Sequence, residues 1–436
     1  MTPIFFLVVF SLGCLLTLFR NPIFGIYTYL FTFYMSPSHN WWGDEVPELR
    51  YLFIVGIVTL ISSLIYKDTS NRLNWLKLAP SKILLSLVCY MWIQYFWAID
   101  VDVHLDGTIT FTKHLVIYYL IYKLVNTREK INTFLLVHIV GCFWFGYLAL
   151  DASGGRLESI GGPVGGSNEL GIHVSTALII GGMMWMLSTG WIRILILVCL
   201  PFIANTLILT ISRGAFLGFL AGGFTAGIFV PGQYRRKFML LAALAIVLMS
   251  LLMHDQLIER FTETWKSFTS DEVEVDRSAA SRVEIFKAGI RIGVDHPMGS
   301  GYRGTALLSP YYMDKSLLND DSGQRSAHNT VAAVFAEHGY IGISLYFALI
   351  IWVLKTVFFI KRLNEDEMAS NDRTLAVAVI SALIGMYVSG NFSNDFFTET
   401  QYWLLAILCS LLEENRRTIN SEDRQINGNK GQPKVA

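Results

Sequence analysis

The stretch QRSAHNTVAAVFAEHGYIGISLYF (residues 324–347) sets Arg325 and His328 at the entrance of an apolar run that extends to residue 360. A run of that length reads as a membrane helix. Lipid disfavours charge, so the polar residues mark the place where the chain leaves the bilayer surface. Asn329 and Thr330 are of the type that caps a helix N-terminus. His328 has two readings: an interfacial histidine, or an imidazole placed to take up a proton near neutral pH. Deeper in the run, Glu337 and His338 read as polar packing residues at a bend made by Gly339, with a direct catalytic role as the alternative.

The same kind of run recurs along the whole chain. Of 436 residues, 53% are hydrophobic and 16% charged, against about 25% charged in an average soluble protein. Apolar segments begin at 4–19 and end at 401–412, and two of them, 23–36 and 113–124, are short for a bilayer. The expectation is an all-α, polytopic membrane protein of 12–13 transmembrane helices. Its parts are an N-terminal bundle (1–254), one long, partly helical loop (255–327), C-terminal membrane helices (328–412) and a disordered cytoplasmic tail (413–436). Residues 1–19 lack a basic start and a small-residue cleavage site, so the first helix reads as a retained insertion signal. The net charge of zero conceals an alternation. Arg20, Lys67, Arg128, Arg235, Arg236, Lys361 and Arg373 fall on one set of connections, and only Arg50, Lys113, Arg156 and Arg213 on the other set of short ones. The first set is expected to be cytoplasmic and the second to face outward. The five cysteines all lie in apolar runs without a C-x-x-C partner and read as packing residues.

The long loop falls on the outward side and carries Arg260, Arg277, Arg282, Arg291, Arg303 and Arg325. Its segment SAASRVEIFKAGIRIGVDHPMGSGYRG predicts a helix starting at Ser278 or Ser281. Val283, Phe286 and Ile290 form its apolar stripe, Ile285 flanks them, and the helix stops at His296-Pro297. The acidic run 270–276 reads as a solvated turn. Arg213, in the junction TISRGAFLGFLAGG, could snorkel to headgroups. No acidic residue lies within ten positions of it, so a bound phosphate is the other candidate partner. The Gly-rich stretch GRLESIGGPVGGSNELG (155–171) opens another helix; Asn168 and Glu169 either cap it or, with the glycine amides, hold a sugar or diphosphate. It lacks the Lys-Ser/Thr ending of a nucleotide-binding loop, and no H-E-x-x-H or Gly-x-Ser-x-Gly is present. Scarcity of acids in the apolar runs weakens an ion-coupled transporter. Nothing suggests nucleic-acid binding, a cofactor or a catalytic metal.

In this order, GGSNELG, ISRGAFLGFLAG, SRVEIFKAGIRIGVDHPMGSGYR and AHNTVAAVFAEHGYIGI resemble the O-antigen ligase and polymerase superfamily, bacterial inner-membrane glycosyltransferases of the GT-C class. The resemblance covers about 150–360, and the N-terminal third is similar to the exosortase-associated O-glycosylation ligase-like branch. It implies transfer of a glycan from undecaprenyl diphosphate to an acceptor, lipid A core oligosaccharide or protein, on the periplasmic side. It also implies an arginine after a helix junction, one in the long-loop helix and a histidine at the loop's end, which fall on Arg213, Arg282 and His328. Arg291, Arg303 and Arg325, with Asn168, are further candidates for the anion or sugar site. A polymerase extending the lipid-linked glycan has the same pattern. A lipid-linked glycan transporter, with arginines lining a path, is the alternative of another class.

Overall fold

Asp100 determines where one of the short runs begins. Its carboxylate accepts the Val103 N–H and caps a helix of 24 residues, Val101–Leu124, twice the length of the apolar segment 113–124. The polar first turns (Asp102, His104, Asp106) hid that length from hydropathy. The computed structural model describes residues 1–66, 72–152, 156–158, 160–252, 277–318, 322–365 and 367–430. The acidic run 270–276 lies outside them.

The helices are α1 (Thr2–Phe19), α2 (Ile23–Tyr34), α3 (Tyr51–Ile65), α4 (Ala79–Gln94), α5 (Val101–Leu124), α6 (Arg128–Leu148), α7 (Gly166–Leu187), α8 (Gly190–Leu209), α9 (Arg213–Phe229) and α10 (Arg235–Leu252). They continue as α11 (Arg277–Asp295), α12 (Gly304–Tyr312), α13 (Thr330–Arg362), α14 (Ser370–Ser389) and α15 (Glu399–Lys430), with no strand among the described residues. Six of them are long and apolar enough to cross a membrane: α1, α6, α7, α8, α13 and α14. A seventh span arises if α9 and α10, bent by 119° at the break, count as one. The chain is thus an all-α, multi-pass membrane protein. The remaining helices of the 12–13 expected are shorter, as α2 and α3 are at 12 and 15 residues, or carry charge on their first turns.

Connections sort to two ends of the bundle as the charge alternation has them. At the basic end Arg128 pairs with Asp372, Lys123 Nζ donates to the Ser63 carbonyl (2.5 Å), and the Glu413 carboxylate accepts the Leu73 N–H (3.0 Å). At the opposite end the Ile99 N–H donates to Ser300 O (3.0 Å), Asn40 Nδ2 to Gly161 O (2.9 Å) and the Thr330 N–H to Gly390 O (2.7 Å).

Two sequence expectations change. In α11 the buried face is Ile285, Ala288 and Ile292, whereas Val283 is 55% and Phe286 42% exposed. The reason is the partner surface: Gly289 and Gly293 lie against Ala332 and Phe335 of α13, so small residues select the packing face and leave the larger apolar ones outside. The polar tail expected to be disordered is helical as far as Lys430, its first turns supported by the Glu413–Arg416 and Glu414–Arg417 pairs.

Glycines set the closest helix contact. A Cβ on Gly218 of α9 would fall 1.8 Å from Ser389 Oγ and 2.4 Å from the Gly385 carbonyl, both on α14, and one on Gly222 would fall 2.7 Å from Ser381 O. Backbones approach this closely only where both sides are small. Gly223, one position on, has nothing within 4 Å. Gly218→Val should therefore lower thermal stability in detergent sharply, while Gly223→Ala leaves it intact. Equal melting of the two variants would contradict the packing.

Candidate functional site

At the end of the bundle opposite the basic connections, α8 turns into α9 through Ile211, which adopts φ 47°. A left-handed β-branched residue stores strain that the surroundings must hold. The turn aims Ser212 at two partners. Its Oγ accepts the Ala215 N–H (3.2 Å), capping α9, and donates to Asn168 Oδ1 (2.8 Å). The same Asn168 oxygen accepts from Arg156 Nη2 (2.8 Å), and Arg156 Nε donates to the Thr210 carbonyl (3.0 Å). Asn168 is therefore a bridge between two chain segments. The capping role at the start of α7 belongs to Glu169, whose carboxylate accepts the Gly165 N–H (3.1 Å).

The connection from α14 to α15 ties this corner to α13. Ser389 Oγ donates to the Gly214 carbonyl (3.1 Å), next to Arg213. On the other side, Thr330 Oγ1 donates to Ser393 O (3.0 Å) and accepts the Asp395 N–H (2.9 Å). Asn329 caps α13 through Ala332 N–H (2.9 Å) and donates from Nδ2 to Asn391 O (3.1 Å). His328 stands immediately before this capped end. Its pKa is lowered to about 4, first by burial and then by the positive charges of Arg282, Arg325 and Arg156. Three guanidinium groups from separate chain segments thus act on one imidazole.

Of the residues singled out in the sequence, the structure brings His328, Arg282 and Arg325 into one electrostatic cluster, and places Asn168 and the helix end bearing Arg213 in the hydrogen-bonded corner beside it. It does not bring Arg291 there. That residue is nine positions beyond Arg282, roughly two and a half turns away on the opposite helix face, and lies 3.7 Å from Glu284. Arg303, exposed and left-handed at φ 59°, begins α12 beside the buried Glu337 carboxylate.

Two site residues were missed. Arg156 was legible as an outward cation, but the glycines around it drew the reading toward backbone amides. Asp395 had no sequence signal, lying in a polar connection, NFSNDFFTE, that looked like any other loop. It is 5% exposed, and its pKa is pushed up to about 8, mostly by burial and further by the Glu169 carboxylate. Near neutral pH it is largely protonated and can both donate to and accept from a hydroxyl group.

Thr330 is the joint. Thr330→Val keeps the side-chain shape and leaves the Asp395 N–H and Ser393 carbonyl without that partner, which costs about 1–3 kcal/mol for a buried group. Thermal melting should fall accordingly and be restored by Thr330→Ser; a Val variant that melts like wild type would contradict the joint.

Residues 195–347 match the family described as O-Antigen ligase. The matched segment begins within α8, ends within α13 and includes Arg213, Arg282, Arg325 and His328; Arg156, Asn168 and Asp395 lie outside it. No curated protein matches the chain. Over that segment the chain is similar to the O-antigen ligase family.

Proposed function

We propose that the protein is an O-antigen ligase-type glycosyltransferase. It moves a glycan from undecaprenyl diphosphate to an acceptor hydroxyl, on lipid A core or protein, at the periplasmic face of the inner membrane. The observation that carries this reading is the imidazole of His328 held neutral inside a field of arginines, an arrangement that suits a proton acceptor beside a polyanion.

In this mechanism Arg213 and Arg282 hold the diphosphate through charge-assisted hydrogen bonds, for which the planar guanidinium is well shaped. Arg156 and Arg325 add to the positive field. The acceptor oxygen bonds to the anomeric carbon as the bond from that carbon to the phosphate oxygen breaks. The hydroxyl proton passes to His328, and the lipid diphosphate leaves with its charge offset by the arginines. Diphosphate leaves readily, so the transfer step needs no metal. Attack from the face opposite the leaving group inverts the anomeric centre. Asp395 is available to a sugar hydroxyl.

The low pKa has a consequence. With no donor bound, His328 is neutral but weakly basic. A bound diphosphate offsets the arginines and raises the pKa, so the base gains strength only when there is a leaving group to use. The neutral form is the active one, so activity falls as pH drops through the pKa. The acid limb of kcat/KM for the donor, which reports the free enzyme, should lie near pH 4, with that of kcat at higher pH. Arg282→Gln should move the kcat/KM limb upward. Coincident limbs that ignore the substitution would remove His328 from the base role.

Purified protein in proteoliposomes, supplied with lipid-diphosphate glycan and acceptor, tests the reaction. A covalent product on the acceptor supports ligation. Elongated lipid-linked glycan indicates a polymerase, and movement of the glycan without product would remove the transferase reading. His328→Ala should cost roughly 10²–10⁴ in rate. Arg213→Lys should cost about 10²-fold, since it keeps charge but loses the fork; a wild-type rate would make Arg213 a lipid anchor only.

A further inference from the structure

A second constellation of reactive side chains lies deeper in the bundle, formed by residues that the transfer chemistry does not use. His138 and Cys142 stand four positions apart on α6, which puts them on one helix face. His173 of α7 faces them, and the ligand atoms of all three lie within 4.8 Å of one another. Tyr34, the last residue of α2, brings its phenol oxygen to 2.5 Å from His138 Nδ1, 3.0 Å from His173 Nε2 and 3.9 Å from Cys142 Sγ. All four side chains are buried, none above 2% exposure. None falls in the segment that matches the O-antigen ligase family.

The ring nitrogens that face away from this group are also fixed. His138 Nε2 is 2.9 Å from Thr176 Oγ1, whose own hydrogen goes to the His173 carbonyl (2.7 Å), so the threonine accepts and the imidazole donates. This assigns the His138 proton to Nε2 and leaves Nδ1 bare, toward the phenol and the thiol. His173 Nδ1 lies 2.7 Å from Thr400 Oγ1, which can accept its proton and leave Nε2 bare in the same way. Orientation of the outer nitrogen by a hydrogen-bonding partner is the usual support of a ligating histidine.

From this geometry we propose a structural zinc-type site formed by His138 Nδ1, His173 Nε2, Cys142 Sγ and Tyr34 Oη. Two nitrogens, a sulfur and an oxygen converging on one point suit a tetrahedral ion of borderline softness. On binding, the thiol and the phenol each lose a proton. One divalent cation, one thiolate, one phenolate and two neutral imidazoles then sum to zero charge. Neutrality is what an apolar bundle demands, since an uncompensated ion there carries a large desolvation cost. Ligand contacts at about 2.0–2.3 Å from the ion place donors some 3.3–3.7 Å apart, so the phenol withdraws slightly from His138 and the sulfur closes in. The site would brace α2, α6 and α7 about a turn and a half along α7 from Asn168, and Thr400 adds α15 to the brace. It stands independently of the transfer reaction.

The test uses the full-length protein in nanodiscs, made in zinc-supplemented and in zinc-starved cells. Elemental analysis should give about one zinc per chain for the wild type and at least tenfold less for Cys142→Ser and for His173→Gln. Protein from cobalt-grown cells should show the visible bands of tetrahedral cobalt with a thiolate charge-transfer band, the latter lost in Cys142→Ser. Zinc-loaded wild type should melt above zinc-starved wild type, a difference that Cys142→Ser abolishes. Should the serine or glutamine variants fail to fold, the zinc content and cobalt spectrum of the wild type decide alone. Wild-type protein with no bound zinc and no tetrahedral cobalt spectrum would overturn the proposal and leave a neutral hydrogen-bonded cluster.

Discussion

A helix that ends at a membrane surface still has backbone groups to satisfy, and here that requirement assembles the site. The hydroxyl of Thr330 and the amide above it take their partners from Gly390, Ser393 and Asp395, and Ser389 reaches the Gly214 carbonyl at the head of α9. One short connection therefore joins the starts of α9 and α13. Arg213 follows Ser212 on the first and His328 precedes Asn329 on the second, so their positions are set by the caps of their helices. The glycine stripe of α9 lets it lie against α14 closely enough for this to happen.

The electrostatics follow from that assembly. Loops and helix ends at one face bring Arg156, Arg282 and Arg325 to bear on His328, while partial burial reduces the contact of the imidazole with water. A positive field of this kind disfavours the imidazolium and favours a multivalent anion. On the proposed function, that unfavourable field is what the donor relieves, so recognition of the diphosphate and activation of the base are one event. Asp395 and Glu169 supply carboxyl groups near the same connection, a chemistry suited to sugar hydroxyls.

Much of this was legible in the residues. Membrane helices follow from apolar runs, and the sorting of connections to two ends of the bundle from the alternation of basic residues. What escaped was decided by tertiary contact. The buried face of α11 was misread because Val283 and Phe286 outrank Ala288 and Gly289 on any apolar scale, yet the helix packs through its small residues. Asp395 was invisible because a carboxylate in a polar loop becomes unusual only when the fold buries it. The spacing of His138 and Cys142 was present in the sequence, but its meaning depends on Tyr34 and His173, which lie far from them along the chain.

The central claim is that this corner of the bundle recognises a pyrophosphate. Binding of a polyprenyl diphosphate and of the matching monophosphate to the purified protein, measured side by side, tests it most directly. The account predicts that the diphosphate binds at least about tenfold tighter, and that Arg282→Gln removes the preference while monophosphate binding stays near its wild-type level. Equal affinity for the two lipids in the wild type, or a preference untouched by losing Arg282, would contradict it.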